Sequence, residues 1–520
     1  MNHKNESLTN ESPPAKAGKR EWIGLAVIAL PCMLYSMDLT VLNLALPHLS
    51  AELNPSSSEL LWIVDIYGFM VAGFLITMGT LGDRIGRRKL LLIGAFAFGI
   101  ASILAAYSNS AEMLILTRAI LGVAGATLAP STLSLIRNMF HDPKQRTVAI
   151  GVWITSYSIG GAIGPLIGGV LLEHFWWGSV FLVAVPVMVL LLAIGPFLLP
   201  EYRDPNPGRL DIKSALISLV AVLAVIFGLK KIAENGLGLL PVFSIVLGVF
   251  LGILFIQRQK KIPDPLIDLK LFKIPSFSAS LLIYTLSTFV MFGTFIFTFQ
   301  YMQLVVGLSP IKAGLWSLPS FFAFVIGSML TPMFTRLIHP VYVMATGFFL
   351  AVVGFGLLTR LSVDSGITYL VIGTFIYCLG ISPVFTLTTD IIVSAAPPEK
   401  AGVASAISET GSEFGGALGI AVLGTIGTGI YRIQMNNSIP AGVPGHVEEA
   451  SKETLSGALQ HASQLPAQLK SSLTNVANEA FIAGMQSALM VCGAVVLLLA
   501  ILCLTRLRPP AAKVPVEAMI

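Results

Sequence analysis

At fourteen places along the chain, runs of about 20 apolar residues follow one another with only short polar breaks between them. A helical run of that length matches the hydrocarbon thickness of a bilayer, and inside lipid each backbone amide must be satisfied within a helix or a closed barrel. A spanning β-barrel would show segments of about 10 residues alternating in polarity. Residues 182–199 and 491–504 are instead continuously apolar. With 55% hydrophobic and only 11% charged residues among 520, an all-α polytopic membrane protein is expected, and soluble nucleotide folds and zinc modules are excluded.

The expected spans are 22–44, 59–80, 88–107, 112–136, 147–172, 179–199, 211–229, 238–256, 277–304, 311–336, 341–360, 367–395, 401–428 and 481–506. An even number puts both ends of the chain on one side, and the charges choose which. About three quarters of the 32 Lys and Arg fall on the side of the N-terminus. The short loops of the other side hold Lys230, Lys231, Lys312 and Arg360, and its long loop 431–480 holds Arg432, Lys452 and Lys470. The positive-inside rule then makes both termini cytoplasmic, in a bacterial inner membrane. The net charge of +5 is thereby explained by topology, and no nucleic-acid partner is implied. The first run exceeds a signal-peptide core and lacks a small-residue cleavage site after it, so it is expected to be retained. Each of the four cysteines lies within an apolar run and carries no information about redox compartment.

The lengths repeat. Residues 22–200 and residues 277–506, less the loop 431–480, are nearly equal, which predicts two six-helix bundles with an inserted helix pair at 201–276 and polar tails at 1–21 and 507–520. Transporters use such repeats and place their substrate between them near the midplane. In loop 431–480, Leu455, Leu459, Leu465, Leu469, Leu473 and Val476 recur at roughly helical spacing, as short amphipathic helices of a surface flap would.

Between the second and third spans runs Gly79-Thr80-Leu81-Gly82-Asp83-Arg84-Ile85-Gly86-Arg87-Arg88-Lys89. Gly86 permits a tight turn, and Asp83 can either accept from the next helix's N-terminus or pair with Arg87, a latch that can break and reform. The segment resembles the cytoplasmic signature of the major facilitator superfamily and matches G-x-L-x-D-R-x-G-R-R throughout. Its counterpart in the second half, around Thr335 and Arg336, keeps only the arginine. Residues 37–47, with Asp38, Thr40, Asn43 and Pro47, resemble the first-helix signature of drug:proton antiporters with fourteen spans. Gly160-Gly161-Ala162-Ile163-Gly164-Pro165, followed by Gly168 and Gly169, resembles the antiporter segment. Its glycines allow close helix approach, and Pro165 removes a backbone bond and offers a pivot. Leu114, Arg118 and Gly122, at intervals of four, resemble the family's buried-arginine segment. Residues 177–186 lack a second tryptophan and an asparagine common in the group.

This resemblance implies a monomeric exporter of lipophilic organic cations, such as quaternary ammonium compounds, dyes and methyl viologen-like dications. It would run on the proton motive force without cofactor or metal, by alternating access and with no enzymatic activity. Symport, or export of an amino acid or siderophore, is the nearest alternative. A membrane-embedded enzyme is disfavoured because the 7 histidines fall in loops or at helix ends. A primary pump is disfavoured because no G-x4-G-K-[ST] occurs, whereas a gated channel remains open on sequence alone.

Acids inside the spans carry the mechanism. Asp38 and Asp65 lie about 9 Å deep from the same side and could share a vestibule. Asp38 is read as a cation and proton site, or else as a structural partner of Thr40 and Asn43; Asp65 is read as functional, or else as interfacial. Glu409 and Glu413 stack one turn apart amid Ser405, Ser408, Ser412, Gly415 and Gly416. Their repulsion would keep one of them protonated in some conformation, as proton coupling requires, unless both serve as partners of Arg118. Asp390, near a span end, is read as structural. The aromatic residues Tyr35, Trp62, Trp153, Tyr157, Tyr284, Phe292, Phe295 and Phe299 lie within spans, and Tyr35 and Trp62 are the ones expected beside the acids, where ring faces attract a quaternary ammonium.

Overall fold

The computed structural model describes residues 16–507 apart from 54, 56, 204–210, 264, 398–399 and 441, and within the helices it leaves some side chains undescribed. Eighteen α-helices follow one another: α1 (Lys19–Leu53), α2 (Ser57–Ile85), α3 (Arg87–Ala106), α4 (Ala111–Gly125), α5 (Leu128–Met139), α6 (Pro143–His174), α7 (Ser179–Leu182), α8 (Ala184–Leu198), α9 (Ile212–Asn235), α10 (Leu239–Gln259), α11 (Pro275–Gln300), α12 (Pro310–Leu337), α13 (Pro340–Leu358), α14 (Gly366–Ala395), α15 (Ala401–Ser438), α16 (Gly445–Glu453), α17 (Leu455–Ala462) and α18 (Ala467–Arg506). Among the described residues they supply 14 apolar spans, the number read from hydropathy.

Two of these spans are broken, and prolines account for both breaks. A proline ring clashes with the carbonyl four residues before it. Pro130 therefore disfavours helix at Ala126, where α4 gives way to α5, and Pro186 does the same at Leu182, where α7 gives way to α8. The crossings alternate, so α1 begins and α18 ends on one face, called here the basic face for its cationic loops.

The helices α1–α8 pack chiefly on one another, as do α11–α15 with α18. Between these two groups, α6 lies against α12, and α15 lies against α2 and α5. The inserted helices α9 and α10 pair with each other, and α9 also lies along α2 and α15. Helix approach depends on missing side chains where α1 meets α6: a methyl group on Gly160 would land on the carbonyl oxygen of Met33. Dispersion across such close seams, rather than hydrophobic expulsion from water, holds helices together in lipid.

Several expected boundaries change. At 38 and 40 residues, α15 and α18 would extend about 57 and 60 Å, well past a bilayer, so the expected loop 431–480 shrinks to the stretch between Ser438 and Ala467. Within it α16 and α17 form the anticipated short helices. They are anchored by the Tyr431 hydroxyl, which donates to the Ser451 carbonyl at 2.8 Å, and by buried Leu455, Ala458 and Leu473. Lys230, expected in an external loop, belongs instead to α9.

Candidate functional site

In the N-terminal third of α15, Glu409 and Glu413 each receive a tyrosine hydroxyl. Tyr284 of α11 donates to Glu409 Oε1 at 3.4 Å, and Tyr35 of α1 donates to Glu413 Oε1 at 3.2 Å, a bond that joins the two helix groups. Around Tyr35 the rings accumulate. Its centroid lies 5.9 Å from Tyr67 and 5.6 Å from Tyr157, and Tyr157 lies 4.8 Å from Trp153. The Trp153 indole donates to Thr132 at 3.0 Å, while Tyr284 meets Phe385 at 5.4 Å. Polar capacity is left over here: the hydroxyls of Tyr67, Ser405 and Ser408 are buried without a hydrogen-bond partner among the described residues. Two carboxylates one turn apart, flanked by ring faces, suit a cation of diffuse charge or the protons that replace it.

Arg118 sits behind this aromatic wall with a side chain 1% exposed. Its guanidinium faces the Tyr67 ring at 5.4 Å, its Nε donates to the Ile63 carbonyl at 2.6 Å, and its Nη1 meets Asp38 Oδ2 at 3.4 Å. The partner a buried arginine needs is thus Asp38 and not the glutamate pair. Asp38 also lines a cavity of about 10 Å³ with Met37, Phe98 and Phe181, close to the room one water needs. Ring and charge contacts run from Asp38 through Arg118, Tyr67 and Tyr35 to Glu413, connecting the two acid sites.

On the basic face, Asp83 pairs with Arg87, whose side chain is fully buried. The N-terminus of α3 goes to a different acid, which sequence reasoning missed: Glu201 accepts from the amides of Arg88 at 3.1 Å and Lys89 at 3.2 Å. Gly86 turns the chain at φ 111°, a region closed to most side chains. The Arg87 guanidinium reaches across to the second group, where a methyl on Gly402 would land on it. Beside this latch, Asp390 of α14 accepts from Arg146 Nε at 2.8 Å and Thr147 Oγ1 at 2.7 Å, both from α6. Lys400 Nζ meets Asp268 Oδ2 at 2.9 Å. Partial burial pushes the Asp268 carboxyl up, but the Lys400 ammonium and the Lys270 amide outweigh it and hold it below its ordinary value. The two groups are therefore sealed against each other on the basic face.

The structure brings Tyr35, Glu409 and Glu413 together, and Asp38 with Arg118 beside them. Trp62 is 41% exposed and packs on Phe69 without a contact to either glutamate among the described residues, and Phe292 and Phe295 are exposed as well. The side chains of Thr40, Asn43, Asp65 and Pro165 lie outside the description, Gly164 is buried within α6, and Arg84 closes α2 on the basic face. Asp390, expected to be structural, bonds across the two groups. The missed signal was Arg146, seven residues beyond the end of α5 and on the same face as Asp390.

Comparison with known proteins agrees with this architecture. A profile described as Major Facilitator Superfamily matches residues 28–420. The multidrug efflux pump LfrA of Mycolicibacterium smegmatis is 41% identical over 478 residues, covering 92% of this chain and 94% of that one. The methyl viologen resistance protein SmvA of Salmonella typhimurium is 35% identical, covering 93% and 97%. The tetracenomycin C resistance and export protein of Streptomyces glaucescens is 31% identical, covering 99% and 97%. Among solved structures, the human organic anion transporter MFSD10 (TETRAN) superposes with a TM-score of 0.60 at 16% identity, covering 93% of this chain and 99% of that one, a likeness of fold.

Proposed function

Since the chain belongs to the major facilitator superfamily and is a transporter of its drug-efflux group rather than an enzyme, we propose that it exports lipophilic organic cations in exchange for protons. The observation that carries this reading is the pair Glu409 and Glu413, set among Tyr35, Tyr157, Trp153 and Tyr284 and bonded across the two helix groups through Tyr35. Relatives named for multidrug efflux and methyl viologen resistance support it.

In the proposed cycle the two groups, 22–200 and 277–506, rock against each other about this site, with both termini on the cytoplasmic side of a bacterial inner membrane. The sealed basic face is the cytoplasmic one. A cation entering from that side displaces protons from the glutamates, because ring faces and carboxylates bind it better than they bind water. Protons arriving from outside then discharge the cation and reset the site. Asp38 serves as a second proton site: protonation would release Arg118, whose buried charge then favours a different packing. The Asp83–Arg87 latch, with Arg84 and Gly86, steadies the sealed state, while Gly164 and Pro165 form the pivot of α6. Asp65 and Trp62 mark the outer mouth. The proton motive force supplies the energy, and a single chain suffices.

Reconstituted in proteoliposomes with an acid lumen, the protein is expected to accumulate tetraphenylphosphonium against its gradient and to stop when nigericin collapses the pH difference. Flux unchanged by nigericin would show a facilitator or channel instead.

A further inference from the structure

Resting on that reading, we propose that Lys230, brought by the inserted helix α9, is a resident counter-charge of the cation site and sets its preference between singly and doubly charged substrates.

Hydropathy ends a span before Lys230 and leaves it in a loop, yet α9 continues through it to Asn235. The side chain turns inward: its ammonium stands 4.7 Å from the centroid of the Phe69 ring of α2. Phe69 belongs to a buried cluster with Ala72 of α2, Ile226 and Leu229 of α9, and Ala417 and Ala421 of α15. Ala417 is one helical turn beyond Glu413, so this cluster is the floor on which α9 meets both helix groups beside the glutamates. An ammonium over an aromatic face near a carboxylate is the same set of interactions that an organic cation would make, supplied in advance by the protein. Lys230 lies within the apolar span Ile212–Ile232, where a charge needs partners, and a bare anchor for α9 could have been apolar.

A fixed positive charge lowers the pull of the site in proportion to substrate charge, so it penalises a dication twice as heavily as a monocation. Removing it deepens the negative potential by one unit whatever the other acids carry. The dication gains the larger share. One further unit charge at roughly 12 Å, in a medium of effective dielectric about 20, changes the affinity ratio about tenfold.

The purified full chain in detergent distinguishes the possibilities, by equilibrium binding of tetraphenylphosphonium as monocation and methyl viologen as dication. Lys230→Met keeps the apolar stem on Phe69 and is expected to raise the dication-to-monocation affinity ratio about tenfold over wild type. Lys230→Arg keeps the charge and should leave the ratio within about twofold. Lys230→Gln provides the same reading should the methionine variant fail to fold. A ratio unchanged in both neutral variants, with both cations bound by wild type, would overturn the assignment and leave Lys230 as an anchor of α9. Wild type binding neither cation would overturn the cation-site reading itself.

Discussion

Replacing Gly402 by alanine tests how the basic face closes. Arg87 is fully buried, paired with Asp83 and pressed between two glycines: a methyl on Gly82 would stand 2.6 Å from its Nη1, and one on Gly402 would land on the guanidinium. Neither direction offers an escape, so the side chain cannot swing aside as a solvated arginine would. Overpacking of this kind costs about 1–3 kcal/mol. Gly402 belongs to the second helix group and Arg87 to the first, so the cost falls on the sealed state and is relieved when the groups part. The ratio of sealed to open protein should then fall by about 5-fold to about 150-fold. Spin labels at Lys144 of α6 and Arg336 of α12, both exposed on the basic face, would report a longer distance in Gly402→Ala, and turnover should drop. Gly82→Ala strains the same guanidinium within one group and should not favour either state. Identical distance distributions and turnover in Gly402→Ala and wild type would refute this picture of the latch.

Asp390→Asn weakens the charge-assisted bonds from Arg146 and Thr147, each worth about 1.5–3 kcal/mol; turnover should fall several-fold while tetraphenylphosphonium affinity stays near that of wild type, and unchanged turnover would contradict the seal. Asp38→Asn strands the buried Arg118 guanidinium at a cost of about 3–5 kcal/mol, so a lower Tm and loss of efflux of every cation are expected; wild-type efflux would remove Asp38 from the mechanism. A cysteine at Lys16 should resist impermeant thiol reagents in intact cells and one at Lys452 should react, over a low background from native Cys32, Cys492 and Cys503, which are buried; labelling at Lys16 would invert the topology.

The spans were legible because lipid imposes one rule on every segment, and residues such as 182–199 obey it without exception. Their internal breaks were less so: Pro130 and Pro186 announce a fault, but hydropathy averages across it. The ends of α15 and α18 were misjudged because helix outside the bilayer needs no apolar composition, as Arg432 and Lys470 show. At the site, the acids were found since a carboxylate in lipid demands a reason. Their partners were not, because pairing depends on which helices touch. Arg118 could have answered Asp38 or Glu413 on sequence grounds, and only the reach of its side chain from α4, across the Tyr67 ring of α2, to Asp38 of α1 decides it. Lys230 was lost to the same averaging, although it sits one turn from Ile226, on the face of α9 that is buried.

Exchange of protons for a cation at Glu409 and Glu413 can be observed without transport. Purified protein in weakly buffered detergent solution, titrated with tetraphenylphosphonium, is expected to release protons in proportion to the cation bound, and the Glu409→Gln, Glu413→Gln double variant to release none. Wild type that binds the cation with no proton released would contradict the exchange.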